Sequence, residues 1–514
     1  MNRQYDIAIV GSGFSGSLLS MIAHRLGRSV ILIERGTHPR VVIGESSTPL
    51  ANLLLEELAT RYDLPSIRPL AKWGTWQAAH PEVACGLKRG FTFYHHNLDH
   101  PLPFPPDRDH QLLVAASPHN RIADTHWYRA DFDHLLVLEA QNLGVEYLDE
   151  TRITAITESA DAIHLEAARH GQPLQITAKF LIDASGPRGF LHRALNLREK
   201  PLPNFPQTQA LYSHFSGAGK IESQLPQQDT PPYPVDSAAV HHIFDGGWIW
   251  VLQFNNGITS AGIAATDALA AKLNLTEGAP AWQRILARIP ALQQQFANAK
   301  PTQPFRHIPR LSFLSDTISG KRWALLPSAA GFVDPLLSTG FPLTLLGISR
   351  IAEIIEQSWE SPELESQLAA CAAKTEADLL AAARIIAALY ANLNDFPTFA
   401  SLSLLYFAAV SFAETARRLG KPELASSFLL HEDPTFGPAC TRLCEHALHL
   451  HTKEQARQLS EDIPRTIEPF NVACLGNHSR SNWYPVDPQD LLEAASKLQA
   501  TSQDIHQLLK RCGF

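Results

Sequence analysis

Residues 5–34 constrain the chain more tightly than any other stretch. YDIAIV (5–10) is the unbroken apolar run of a strand buried on both faces. GSGFSG (11–16) follows at once, then an apolar helical pattern, SLLSMIAHRLG, then a second strand, SVILIE, that closes on Glu34. Gly11 and Gly13 permit the tight turn and the close approach of a pyrophosphate, and Gly16 lets helix pack on strand. The helix N-terminus, with Phe14 and Ser15 in its first turn, then faces the phosphates. Glu34, followed by Arg35, is placed to accept from ribose hydroxyls. A glycine triplet alone is a weak signal. Framed by strand, helix, strand and acid, it predicts a dinucleotide site, and a merely structural unit has no need of Glu34.

Only one such fingerprint occurs in the 514 residues, which points to a single tightly held cofactor. Two later stretches have a related form. AKFLIDASGPRG (178–189) is an apolar strand closing on Asp183 before small residues, and WALLPSAAGFVDPLLSTG (323–340) repeats the form before Asp334–Pro335. Small residues after a strand let backbone approach a ligand, and three such places within about 330 residues imply an extended one.

Composition narrows the class. The net charge of −8 is modest and no arginine–lysine block occurs, which argues against nucleic acid. The longest apolar-rich segment, 399–420, is interrupted by Ser401, Ser403, Ser411 and Glu414 and reads as a buried helix, so no membrane span is expected. The chain opens directly on a strand without a charged-then-apolar leader, and its six cysteines are scattered. A soluble protein of a reducing, cytoplasmic compartment is expected. Cys440 and Cys444, with His446, His449 and His451 close by, share a helix face that a metal could use. The pattern equally fits an amphipathic helix with solvated histidines, and no metal is expected.

CGLKRGFTFYHH (85–96) poses the sharpest question. Its composition is that of an interior strand, yet it carries Lys88. A strand lysine either reaches water or is held inside for chemistry. Lys72, in AKWGTWQ, has a similar setting and competes for the same role.

Three stretches spread over the first 350 residues resemble the layout of FAD in the glutathione-reductase-like monooxygenase fold, and four motifs narrow the resemblance to the flavin-dependent halogenases, in particular those acting on phenols. GESSTP (44–49) resembles the segment that covers the flavin, which implies flavin contacts for Glu45 and Ser46. GLKRGFTFY (86–94) is similar to the lysine-bearing strand, with Lys88 in the catalytic position and Phe93 beside the passage to the substrate. GWIWVLQF (247–254) resembles the Trp-x-Trp signature, with Trp248 and Trp250 crowding the same passage. DPLLSTG (334–340) resembles the segment where halide binds, with Asp334 and Gly340 against the flavin and the N–H groups of Thr339 and Gly340 on the halide. Arg129 in THWYRADFD resembles an arginine at a helix start near the flavin, able to neutralise phosphate or cap a carbonyl.

The resemblance implies an enzyme that takes FAD as FADH2 from a separate flavin reductase. With dioxygen and chloride or bromide it would generate hypohalous acid and install the halogen, through Lys88, on a small electron-rich aromatic. An amine suits that chemistry, because it can hydrogen-bond the acid or form a haloamine, and desolvation makes its neutral form more available. The sequence departs from the pattern in three places. Leu252–Gln253 replaces Ile-Pro in the third motif, and Pro327–Ser328 stands where relatives of the fold have Gly-Asp. Leu337 stands where tryptophan-type halogenases carry a glutamate that assists the lysine, which favours a phenolic substrate that activates its own ring. A halide-independent flavin monooxygenase or oxidase of the same fold, and a non-catalytic flavoprotein, are the alternative readings.

The expected fold is α/β. A Rossmann-type FAD-binding domain spans 1–355, with an antiparallel substrate-side sheet interleaved at about 85–125 and 200–265. A helical region spans 356–514, with helices expected at about 399–420, 436–460 and 488–512. The proline-rich run 224–236 reads as a surface loop.

Overall fold

The computed structural model describes residues 2–226 and 230–514, so residues 227–229 of the proline-rich run lie outside the described residues. Along the chain the strands that matter here are β1 (Asn2–Val10), β2 (Val30–Ile33), β3 (Cys85–Lys88), β4 (Gly90–His95), β5 (Gln111–Ala115), β6 (Asp124–Trp127), β7 (Glu146–Leu148), β8 (Thr151–Glu158), β9 (Ile163–Arg169), β10 (Gln172–Asp183), β11 (Thr208–Ser216), β12 (Ala239–Phe244), β13 (Gly247–Gln253) and β14 (Ile258–Thr266).

The first sheet runs β7-β2-β1-β10-β9-β8, with the strand Trp323–Leu325 also paired to β10. β1 lies parallel to β2 and to β10, and β10 lies parallel to Trp323–Leu325. Such neighbours need crossover connections, and the helix Phe14–Arg25 supplies the first. The register pairs Val10 with Asp183, so the turns that leave β1 and β10 emerge side by side at one edge of the sheet. That edge, at the carboxyl ends of the parallel strands, is where open α/β sheets bind ligands.

The second sheet runs β11-β14-β13-β12-β4-β5, with Trp483–Tyr484 beside β5. Its strands fall largely in the two windows expected for a substrate-side sheet. The expectation of one interior strand across 85–96 needs correction. Among the described residues β3 pairs only with β6, as a separate two-stranded ribbon, whereas β4 pairs with β5 and β12. The break is at Arg89, whose N–H turns to Ser237 O and whose guanidinium is held by Ser117 O and Asn120. Gly90 has to follow, because a Cβ there would lie 2.3 Å from Val114 O.

Beyond Gly340 the chain is mainly helical. The helix Phe396–Arg418 is long and apolar enough to cross a membrane by composition, but 78% of its apolar window is covered by the protein itself. It lies on the second sheet, where Phe399 and Phe407 meet Phe93 edge-on at 5.8 and 6.3 Å. The helix expected over 436–460 is two, Phe436–Ala447 and Lys453–Ile467, because Thr452 and Gln455 form a capping box that starts a new helix. The segment 488–512 divides likewise into Pro488–Glu493 and Ser502–Arg511, the second opened by a capping box of Thr501 and Asp504. Cys440 and Cys444 are both buried on the inner face of Phe436–Ala447.

The β1 turn yields a stability prediction. Gly11 has φ +101°, and a Cβ on Gly16 would lie 1.9 Å from Gly11 O, a backbone atom that cannot swing aside. Gly16→Ala is therefore expected to cost at least about 3 kcal/mol, the upper end for overpacking a core. Thermal and urea unfolding of the purified variant check this.

Candidate functional site

A cavity of about 1200 Å³ opens along the ligand edge of the first sheet and continues under the second. One end is walled by Glu34, Arg35 and Arg40, the middle by Gly11, Gly13, Phe14, Ser15 and Ser185, and the far end by Trp248, Trp250, Asp334, Thr339 and Gly340. The volume exceeds the usual range for a drug-sized ligand, and the form suits an extended dinucleotide. A Cβ built on Gly13 would meet nothing nearer than Arg129 Nη2 at 3.6 Å, so the protein leaves that side of the turn open. Gly13 caps the helix Phe14–Arg25, whose first N–H groups have no intrahelical partner.

Glu34 is buried, and its carboxylate orders its own surroundings. Oε1 accepts from Gly36 N–H at 2.9 Å, while Oε2 accepts from Ser12 N–H at 3.1 Å and from Arg40 at 2.8 Å. Burial alone would raise its pKa, but Arg40 and the two N–H groups outweigh that and hold it below the usual carboxylate range. Arg129 is locked bidentate to Asp133, both contacts at 2.7 Å, and donates to Gly44 O at 3.0 Å. Of the two roles expected for it, the structure shows the carbonyl cap. Gly44 has φ +92°, and the turn it makes carries Glu45 and Ser46 along the cavity wall. Glu45 pairs with His214 Nε2 at 2.8 Å, both groups buried.

Lys88, at the end of β3, is fully buried. Its Nζ donates to Ser46 Oγ at 2.8 Å and to Ser47 O, and lies 3.8 Å from the centroid of the Phe91 ring. Burial pushes its pKa down, opposed by the charge of Asp124, its register partner on β6. Burial likewise raises Asp124, helped by Glu414 and opposed by Lys88, so both members of the pair are driven toward their neutral forms. His126 and His241 nearby are pushed down by burial and then by the lysine's charge, which keeps both rings uncharged.

A second cavity, of about 1050 Å³, lies on the other side of Lys88. Its inner wall includes Leu50, Leu54, Phe91, Asp124, Tyr406 and Phe407. Ser46 belongs to the first cavity; Phe91 and Asp124 belong to the second. The amine thus sits in the partition between them, touching a wall residue of each.

The far end of the first cavity is tied to the helical region. Trp248 Nε1 donates to Tyr390 Oη at 3.0 Å, and Tyr390 donates to Asp334 Oδ2 at 2.9 Å; Asp334 Oδ1 accepts from Leu336 N–H at 3.0 Å. Burial raises the Asp334 pKa to about 7 against those donors. Leu337 and Ser338 then take left-handed φ values of +64° and +55°, which non-glycine residues seldom adopt. Tyr406 Oη fixes the turn by donating to Leu337 O at 2.7 Å. Thr339 caps the helix Gly340–Gln357, so this turn aims the free N–H end of that helix at the cavity.

Two expected residues fall elsewhere. Asp183 stands behind the wall: Oδ1 accepts from Ser185 and Oδ2 from Leu191 N–H, so it shapes the 184–191 loop whose Ala184, Ser185 and Gly186 form the surface. Phe93 is stacked on His241 at 4.4 Å inside the core, and it is Phe91, two residues earlier, that reaches a cavity. Lys72, the competing lysine, lines the second cavity but is partly exposed and paired with Glu56 at 2.9 Å. Sequence reasoning missed Asp124, Tyr390 and His214. Tyr390 lies in an alanine- and leucine-rich helix that carries no local signal, whereas Asp124 was accessible in principle as the residue opposite Lys88.

A sequence model of the tryptophan halogenase family matches residues 122–381. Monodechloroaminopyrrolnitrin halogenase PrnC of Pseudomonas fluorescens is 29% identical over 363 residues, covering 68% of this chain and 61% of the relative. Tetracycline 7-halogenase of Kitasatospora aureofaciens is 30% identical over 369 residues, covering 70% and 63%. The chain thus spans less than two thirds of the length of these two relatives. The crystal structure of halogenase PltM in complex with phloroglucinol and FAD shares the fold, with a TM-score of 0.83 at 23% identity over 93% of this chain and 99% of that one.

Tyr390→Phe removes one hydroxyl and leaves two buried polar atoms, Trp248 Nε1 and Asp334 Oδ2, without that partner. The expected loss of stability is about 1–3 kcal/mol, the cost of unsatisfied buried groups. Urea unfolding of the variant beside the parent measures it.

Proposed function

The chain belongs to the tryptophan halogenase family, and from that premise we propose that it is a flavin-dependent halogenase acting on a small, electron-rich aromatic such as a phenol. The observation that carries the reading is the buried, charge-destabilised amine of Lys88 in the partition between a dinucleotide-sized cavity and a second, partly apolar one.

The first cavity fits FAD. The open face of Gly13, the helix N-terminus behind it and Glu34 with Arg35 suit the dinucleotide end. Ser46, Trp248, Trp250, Asp334 and Gly340 would surround the ring end. PltM, which shares the fold, was crystallised with FAD, which supports the same cofactor here. The bound reduced flavin would supply, with dioxygen and chloride or bromide, hypohalous acid. The residues of the chain do the rest. Thr339 and Gly340 offer backbone N–H groups to a halide without an acidic proton. Trp248 and Trp250 narrow the route away from the flavin. Ser46 and the Ser47 carbonyl hold the Lys88 amine with its ring-side face on Phe91. Its depressed pKa makes the ammonium readier to hydrogen-bond hypohalous acid and give up a proton as the halogen transfers.

Residues 1–355 would form the FAD-binding part with its interleaved sheet, and 356–514 the helical region that completes the second cavity. The aromatic wall of that cavity suits a phenol, and the phloroglucinol held by PltM supports the class. A separate flavin reductase would provide FADH2, in a cytoplasm where the six thiols, all free in the structure, stay reduced.

Mass spectrometry of products from a panel of phenols, with reduced FAD and bromide supplied, tests the reading; hydroxylated products alone would overturn it. Gly13→Ala should leave the fold intact, because its methyl meets no protein atom closely, and weaken FAD affinity about tenfold or more by intruding where the pyrophosphate would lie. Fluorescence titration with FAD reports this. Lys88→Ala should abolish halogenated product while FAD binding and oxidation of FADH2 continue. Lys88→Arg should also fail, since a guanidinium stays charged. Lys72→Ala should retain most activity, and its loss would relocate the catalytic amine.

A further inference from the structure

We infer that Asp124 is a second catalytic residue, which accepts the proton that the aromatic ring releases as Lys88 delivers the halogen. The inference rests on the halogenase reading and adds the proton's path to it. Substitution by hypohalous acid, HOX + ArH → ArX + H2O, forms a carbon–halogen bond and breaks the oxygen–halogen bond. It also frees a ring proton and leaves a hydroxide that needs one. The Lys88 ammonium can protonate that hydroxide as the halogen transfers. A separate acceptor beside it is then required for the ring proton.

Asp124 has the position and the vacancy. It faces Lys88 in register across β3 and β6, and it lines the second cavity together with Phe91, whose ring lies under the amine. Asn52 fixes one carboxylate oxygen, Oδ1, at 3.0 Å; Oδ2 is buried without a hydrogen-bond partner among the described residues. An unpaired buried carboxylate oxygen is costly and needs an explanation. Lys88 does not satisfy it, being held instead by Ser46 and Ser47. On the helix Phe396–Arg418, Glu414 and Arg418 face Asp124 and are paired with each other at 2.6 Å. Lys72 and Glu56 pair with each other elsewhere on the cavity wall. His126 on β6 and His241 on β12 flank the lysine as neutral rings.

After one turnover the pair would stand as neutral amine and carboxylic acid. Because the two groups are not in direct contact, the return of one proton from Asp124 to Lys88 would run through a single water; it restores ammonium and carboxylate, and atoms and charges balance with no further reagent. The opposite pKa displacements of the two groups bring these protonation states close in energy.

The test compares Asp124→Asn and Asp124→Glu with the parent holoenzyme, supplied with FADH2, bromide and a phenol that the parent halogenates. Asp124→Asn should lower turnover about 100-fold, as for loss of a general base. FADH2 oxidation, phenol affinity by calorimetry and melting temperature should stay near parental. The ascending limb of the parent's pH–rate profile, along which the carboxylate forms, should vanish in Asp124→Asn and persist in Asp124→Glu with part of the turnover recovered. Asp124→Asn turnover within about threefold of the parent, or a parallel loss of phenol affinity and melting temperature, overturns the assignment. So does a glutamate variant as inactive as the asparagine one, which also decides the matter should Asp124→Asn not fold. Absence of halogenated product from the parent removes the halogenase reading as well, and so separates the two failures.

Discussion

The enclosure of the Lys88 amine is the constraint around which the site is organised. Taking an ammonium wholly out of water costs several kcal/mol unless its protons find partners. Here they find Ser46 Oγ, Ser47 O and the face of Phe91 and, among the described residues, no direct ion pair. Each partner comes from an element fixed for another reason. Ser46 and Ser47 follow the left-handed Gly44, whose carbonyl is held by Arg129. Phe91 is the second residue of β4, just after the break at Arg89. The break is essential to this: a single continuous strand across 85–96 would put Lys88 in the main sheet, whereas the two-stranded ribbon carries it out between the cavities.

Much of this was legible in the sequence, and the reasons are physical. The βαβ unit is written in contiguous residues, because its turn, helix packing and acid are all local requirements, and the structure puts Gly11, Gly13 and Glu34 on one cavity and Gly16 against the Gly11 carbonyl. The motif residues Glu45, Ser46, Trp248, Trp250, Asp334, Thr339 and Gly340 do come together on one cavity. The misreadings share a cause. Asp183 and the continuous strand at 85–96 were judged by composition and Phe93 by resemblance, and neither says which face of a strand looks inward or which turn uses up a carboxylate. Alternation along β4 puts Phe91 and Phe93 on one face, and only the helix Phe396–Arg418 lying across it decides that Phe93 is core. Tyr390 and Tyr406 were invisible for the same reason: a tyrosine in a helix is unremarkable until its hydroxyl is seen to end on another segment.

Those two tyrosines show what the helical region contributes. They sit on consecutive helices, Leu364–Ala391 and Phe396–Arg418, and both hold the short segment 334–338: Tyr390 through Asp334, Tyr406 through the Leu337 carbonyl. That segment needs holding. Two successive non-glycine residues in the left-handed region are each disfavoured by roughly 1–2 kcal/mol, and such strain persists only where surrounding contacts fix it. The strained turn aims the N-terminus of the helix Gly340–Gln357 at the first cavity, so the free N–H groups there depend on helices that lie outside the dinucleotide fold.

Tyr406 also has a ring on the wall of the second cavity, in edge contact with Phe91 at 6.5 Å. One side chain therefore touches the turn that shapes the first cavity and the aromatic that supports the amine. The helix Phe396–Arg418 thus ties the turn at 334–338 to the wall of the aromatic cavity through this one residue.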